Sequence, residues 1–167
     1  MTTTPDTVDS HIERWLPVVP HLDADVEGAV TRMIKLTRHL RSVKERVLVD
    51  FDLSVHEYDT LQALAGRRGR AAPSDLATDL AMAPASITAR VDALLRRGFV
   101  RRIPSTVDRR RVDVALTDAG QAAWRGAMEI QGAEEHRLLG ALTTTERRHL
   151  ADLLRRVLLV AEQPTAD

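Results

Sequence analysis

Apolar residues recur at helical spacing along most of the chain and switch to strict alternation in one stretch. From about Asp23 to Val49, the positions Val26, Val30, Met33, Ile34, Leu40, Val43 and Val47 return every three or four residues with basic residues between them. This pattern predicts one long helix. Ser54-Val55-His56-Glu57 is a capping box, and the helix it opens carries Tyr58, Leu61 and Leu64 as its apolar stripe, leaves Gln62 off that face and ends at Gly66. A shorter helix is predicted over Ser10 to Val19. It opens on Ser10-His11-Ile12-Glu13, gathers Ile12, Trp15 and Leu16 on one face, and is stopped by Pro17 and Pro20. Near the end of the chain, Thr117 caps a helix running to about Leu139, and Thr143 with Glu146 caps a last one. That last helix places Leu150, Leu153, Leu154, Val157, Leu158 and Val160 over more than one face, the mark of a helix buried against a partner subunit.

The middle of the chain, Leu76 to Gly120, reads differently. A helix starting at Ser74 after Pro73 carries Leu76 and Leu80, and a turn follows at Ala81 to Ala83. A second helix has Pro84 in its first turn, where the missing N–H is harmless, and stops at Gly98, which tolerates the left-handed conformation past a helix end. Alternation then takes over, with Phe99 to Ile103 and Val112 to Leu116 as short strands and Ser105 to Arg111 as the polar tip between them. The predicted fold is mainly α with a small β-hairpin wing, a winged helix-turn-helix carried on a helical dimerisation lobe. Its expected divisions are an N-terminal extension over 1–22, a dimerisation helix over 23–53, the winged lobe over 54–117 and C-terminal dimerisation helices over 118–167.

Charge adds a partner. The chain is formally neutral, with 24 Lys plus Arg against 24 Asp plus Glu. Gly66 to Arg111, however, holds eleven arginines, no lysine, four aspartates and no glutamate, so this segment is +7 and the remainder −7. A basic excess confined to one helix-turn-helix is the electrostatic footprint of phosphate binding. With Ile87, Val91 and Leu94 facing the core, the opposite face of the second helix carries Ala85, Ser86, Thr88, Ala89, Asp92 and Arg96. The hydroxyls of Ser86 and Thr88 suit hydrogen bonds to base edges, and the methyls of Ala85 and Ala89 suit thymine methyl groups. Arg96, Arg109 and Arg111 are phosphate candidates.

Other chemistry finds little support. Cysteine is absent, which excludes disulfides and thiolate metal sites. The six histidines show no HExxH or other metal-ligand spacing, and neither a Gly-rich phosphate loop nor a Gly-x-Ser-x-Gly elbow occurs, so no catalytic residue, metal or cofactor is expected. No run of about 18 apolar residues is present to span a bilayer, and the polar, acidic start does not resemble a signal peptide. A soluble cytoplasmic protein without membrane contact is the expectation.

Leu76-Ala77-x-x-Leu80, Ile87-Thr88-x-x-Val91-Asp92-x-Leu94, Gly98-Phe99-Val100 and Asp108-Arg109-Arg110 followed by Val114-x-Leu116-Thr117 together resemble the MarR transcriptional regulators over about Asp23 to Ala161. The resemblance implies a homodimer whose terminal helices pair while two winged lobes read successive major grooves of a pseudo-palindromic operator, usually as a ligand-released repressor. It also implies that the Arg110 guanidinium enters the minor groove and that Asp108 braces the hairpin. Arg90 flanks the inward face of its helix and needs an anionic partner or a ligand. The N-terminal helix bearing Trp is similar to the urate-responsive PecS/HucR branch of the family. That likeness implies a pocket of Trp15, Asp59, Arg90 and Arg102 for a planar anion such as urate or a related purine, whose binding repels Asp59 and shifts the recognition helix. The competing readings are a regulator sensing phenolic or antibiotic-like compounds and a winged-helix module that binds protein.

Overall fold

The computed structural model of the chain describes residues 4–104 and 112–163. The first helix, α1 (Thr7–Trp15), starts about one turn before the predicted Ser10 cap. Asp6 is the cap: its carboxylate accepts from the Val8 and Asp9 N–H groups at 2.7 and 3.2 Å, and the Asp9 side chain accepts from Asp6 N–H in return. A local capping pattern at Ser10 loses to this one because Arg32, on the next helix, grips Asp6 and Asp9 together. The Arg32 guanidinium holds the Asp6 carboxyl down at about 2. Val8 is buried under this clasp, and Gly28 admits α1 so closely that a Cβ there would lie 3.3 Å from Ile12 Cδ1.

The long helix α2 (Ala24–Asp50) is capped by Asp23 and buries side chains in its C-terminal half, through Val43, Val47 and Leu48, with Gly28 also buried near its start. A corner at Asp52, in the left-handed conformation with φ 50°, leads into α3 (Val55–Gly66). The expected Ser54–Glu57 capping box is present in both directions. Helix α3 is the centre of the molecule: Tyr58, Leu61 and Leu64 are almost fully buried, and the helix packs against α2, α4, α5, α6 and the sheet. Each fully buried leucine here contributes about 1.5–3 kcal/mol of transfer free energy.

After α3 the chain forms β1 (Arg70–Ala71), too short to leave a periodic signature, and then α4 (Pro73–Asp79), which takes in Pro73 as its first residue. Ala81 adopts φ 50°, so the Met82 N–H reaches back to the Ala77 carbonyl and closes the turn. Helix α5 (Pro84–Arg96) ends in the same manner at Gly98, φ 72°, with Phe99 N–H bonded to the Leu94 carbonyl. Strands β2 (Val100–Pro104) and β3 (Val112–Leu116) form the expected hairpin, and β1 adds to the outer edge of β3, so the sheet runs β1-β3-β2 with antiparallel neighbours. Helix α6 (Asp118–Leu139) then returns along α2, and α7 (Thr144–Ala161) follows a third reciprocal capping box at Thr143 and Glu146. No side chain of α7 is buried.

The junction of the wing with α6 is the tightest backbone contact. Thr117 caps α6 through Gly120 N–H, donates its hydroxyl to the Gly98 carbonyl at 2.7 Å, and gives its own N–H to the Phe99 carbonyl. Gly120 packs on that same Phe99 carbonyl, where a Cβ would collide with the oxygen. Gly120→Ala is therefore expected to cost about 1–3 kcal/mol, as overpacking against a fixed backbone does. Urea unfolding of the two proteins checks this through the shift in midpoint.

Candidate nucleic-acid interface and cleft

Helix α5 turns Ile87, Val91 and Leu94 into the core, each at most 2% exposed. Its first two turns leave Ala85, Ser86, Thr88 and Ala89 in solvent, as the wheel predicts. No side chain caps its start at Ala83, so the positive end of the helix stays open toward an approaching anion. Thr88 donates its hydroxyl to the Pro84 carbonyl at 3.0 Å, which leaves the oxygen lone pairs and the methyl facing outward. The exposed face is thus small, uncharged and capable of both polar and methyl contacts.

The arginines around this face fall into two groups. Arg67 holds Asp79 through two bonds at 2.5 and 2.8 Å, tying the end of α3 to the end of α4 and keeping the Asp79 carboxyl below its usual range. Arg70 spans the wing root, bonding Asp113 on β3 and the Pro104 carbonyl on β2, both at 2.9 Å. Arg102 reaches from β2 to Asp92 on α5 at 2.8 Å. Arg90 donates to His56 Nδ1 at 3.1 Å, and Arg97 is bonded to Glu57 and Asp52. By contrast, Arg68, Arg96 and Arg101 are exposed and make no ion pair or side-chain hydrogen bond among the described residues. Arg96 was expected at this surface from the sequence. Arg68 and Arg101 were missed, although Arg101 follows inward-facing Val100 and alternation alone places it outward. Asp108, Arg109, Arg110 and Arg111 lie outside the described residues, and the visible braces of the wing root are Arg70–Asp113 and Arg102–Asp92.

A cleft of about 960 Å³ opens between α2, α3 and α6. Lys44, His56, Tyr58, Asp59, Gln131 and Glu135 supply much of its polar lining. Lys44 Nζ sits 2.7 Å from Asp59 Oδ1 and 4.9 Å from the centre of the Tyr58 ring. Burial pushes the Tyr58 phenol up, a hydrogen bond with Gln131 opposing it.

Of the four residues expected to hold an anion, Asp59 lines this cleft and Arg90 stands beside it through His56. Arg102 is engaged by Asp92, while Trp15 lies at the end of α1, 45% exposed and 6.1 Å ring to ring from His11. Neither of these two lines the cleft. Lys44 and Arg41 are cations at the cleft that sequence reasoning overlooked, since nothing in their spacing ties them to α3. Among the described residues, no cluster of His, Asp and Glu could hold a metal ion, and no helix is long and apolar enough to cross a membrane. His11 and His39 instead pair with Glu27 and Glu134, joining α1 to α2 and α2 to α6.

Residues 53–112 match the model of the MarR family. Over 153 residues the chain is 29% identical to the HTH-type transcriptional regulator PecS of Dickeya dadantii, a match covering 90% of this chain and 92% of that protein. It is 33% identical over 95 residues to the transcriptional repressor MprA of Escherichia coli K12, covering 57% of this chain and 54% of MprA. The fold matches that of an E. coli MarR variant crystallised with operator DNA, with a TM-score of 0.61 at 23% identity over 86% of this chain and 97% of that one.

Proposed function

From a chain that carries a MarR-family domain across residues 53–112, we infer a DNA-binding transcriptional regulator of the repressor type, not an enzyme. The observation that carries this reading is the division of the arginines. Arg67, Arg70, Arg90, Arg97 and Arg102 have partners inside the molecule, whereas Arg68, Arg96 and Arg101 have none among the described residues. Helix α5 lies in the major groove with Ser86 and Thr88 at base edges and Ala85 and Ala89 against thymine methyls. Arg96, Arg109 and Arg111, joined by Arg68 and Arg101, meet phosphates, and Arg110 enters the minor groove.

The active species is a homodimer on a pseudo-palindromic operator. Support comes from surface that one chain leaves bare: Leu154, Val157 and Leu158 on α7 and Val26, Val30 and Ile34 on α2 are 41–59% exposed. A second copy covers such helices at little cost, and its twofold axis places two α5 helices on half-sites one DNA turn apart, about 34–36 Å.

The effector is a small anion, with urate or a related purine as the first choice, held by Asp59, Arg90 and Arg102 and covered by Trp15. Arg102 reaches such a ligand only by leaving Asp92, so occupancy unhooks the wing root from α5 and lowers operator affinity. The apolar part of the cleft, with Leu40, Val43 and Met128, also suits a phenolic compound, which is the second reading.

Duplex affinity is expected to fall steeply with added salt, and Arg96→Ala and Arg101→Ala each reduce the log–log slope by about one. Binding titrations at several salt concentrations check this, and an affinity insensitive to salt overturns the DNA reading. Sedimentation is expected to give a dimer, with the double variant Leu154→Glu and Leu158→Glu sedimenting as a monomer. Urate is expected to raise the melting temperature of the parent protein and release its operator, and to do neither in Arg102→Ala. Should salicylate act while urate does not, the phenolic reading replaces this one.

A further inference from the structure

We propose that Arg97 sets the distance between operator half-sites by fixing the angle at which the recognition helix lies against α3 and the corner after α2; the proposal rests on the DNA-binding and homodimer readings above. Arg97 follows the last residue of α5 as its C-cap. Its Nη1 donates to both Glu57 carboxylate oxygens at 2.8 Å, and its Nη2 donates to Asp52 Oδ2 at 2.8 Å and to the Asp52 carbonyl. The guanidinium carbon lies 4.8 Å from the centre of the Phe99 ring. One side chain therefore joins the corner after α2, the first turn of α3, the end of α5 and the start of the wing.

Each partner is itself constrained. Asp52 holds a left-handed conformation that a non-glycine residue adopts at a cost, and Arg97 grips both its carbonyl and its carboxylate. Burial works against ionisation of Glu57, yet the Ser54 N–H, Arg97 and the Ser54 hydroxyl together bring its carboxyl below the usual range. Glu57 thus caps α3 and anchors α5 at once. A lysine, with one compact ammonium, cannot span Glu57 and Asp52 while lying over Phe99.

The lever is long enough to matter. At 1.5 Å per residue the thirteen residues of α5 extend about 20 Å from this anchor to the DNA-facing end. A tilt of roughly 10° about Arg97 moves that end by about 3.4 Å, the rise of one base pair. Loosening the anchor therefore changes which half-site spacings two copies can read together, while contacts within one half-site survive.

The test uses the full chain and duplexes it retains from a randomised pool, rebuilt with half-sites one base pair closer, unchanged, and one or two base pairs further apart. The parent is expected to lose about tenfold in affinity for each base pair of displacement. Arg97→Lys and Arg97→Gln are expected to bind the neighbouring spacings within about threefold of the best, with affinity for a duplex bearing a single half-site unchanged. Glu57→Gln, which keeps the Ser54 cap but weakens the Arg97 anchor, should broaden the profile likewise and serves if the Arg97 variants do not fold. Arg67→Gln breaks an arginine–aspartate clasp elsewhere on α3 and should keep the parent's profile. A parent-like profile in every Arg97 and Glu57 variant that folds overturns the proposal, as does an equal loss on the single half-site. Absence of duplex binding by the parent overturns the DNA reading itself.

Discussion

The burial of the face of α3 that carries Tyr58, Leu61 and Leu64 is the constraint from which the rest of the architecture follows. Leu61 and Leu64 are fully buried and Tyr58 nearly so, and around them pack the C-terminal half of α2, the two helices of the helix-turn-helix, the sheet and α6. A helix with this role has few outward positions left, and each carries work. Glu57 meets Arg97, His56 meets Arg90, and Asp59 meets Lys44. Because these partners sit on two different elements, α5 with its cap and α2, any displacement of α3 is felt by the recognition helix and the long helix together. The cleft beside α3 shares residues with these links, since His56, Asp59 and Lys44 line it.

A second theme is the economy of the arginine-rich segment. Its +7 excess counts charge but says nothing of direction. Five of its arginines brace the fold by reaching across elements: α3 to α4, β1 to the wing strands, α5 to α3, β2 to α5, and the end of α5 to the corner after α2. Partly exposed pairs of this kind add little stability singly. Their value lies in geometry, since a bidentate guanidinium restricts angle as well as distance. Rigid braces behind α5 allow a short, uncapped helix with small side chains to present itself in one orientation.

The molecule is also divided by what it leaves bare. The winged lobe shares a closed core with the C-terminal half of α2 and with α6, whereas α7 buries no side chain and the N-terminal half of α2 exposes most of its apolar positions. At about 25 cal/mol per Å² of apolar surface removed from water, covering these positions is favourable. The extra helix α1 is fastened to that half of α2 by Arg32 and Gly28 and so sits apart from the helix-turn-helix.

What the sequence determined by itself was everything governed by neighbours within a few residues. The Ser54–Glu57 and Thr143–Glu146 boxes, Pro84 at the start of α5 and Gly98 at its end were legible because capping is local chemistry. The inward face of Ile87, Val91 and Leu94 was legible because helical periodicity is local too. The start of α1 was misread for the opposite reason: Ser10 offers a sound local cap, but Asp6 and Asp9 gain Arg32 from another helix. Strand β1 is two residues long and exists only through its pairing with β3. Above all, whether an arginine is a brace or a free cation depends on which acid the fold brings within 3 Å of it. Arg67, Arg97 and Arg102 became braces and Arg96 and Arg101 did not, a distinction that only the tertiary structure decided, because a guanidinium pairs through space and not along the chain.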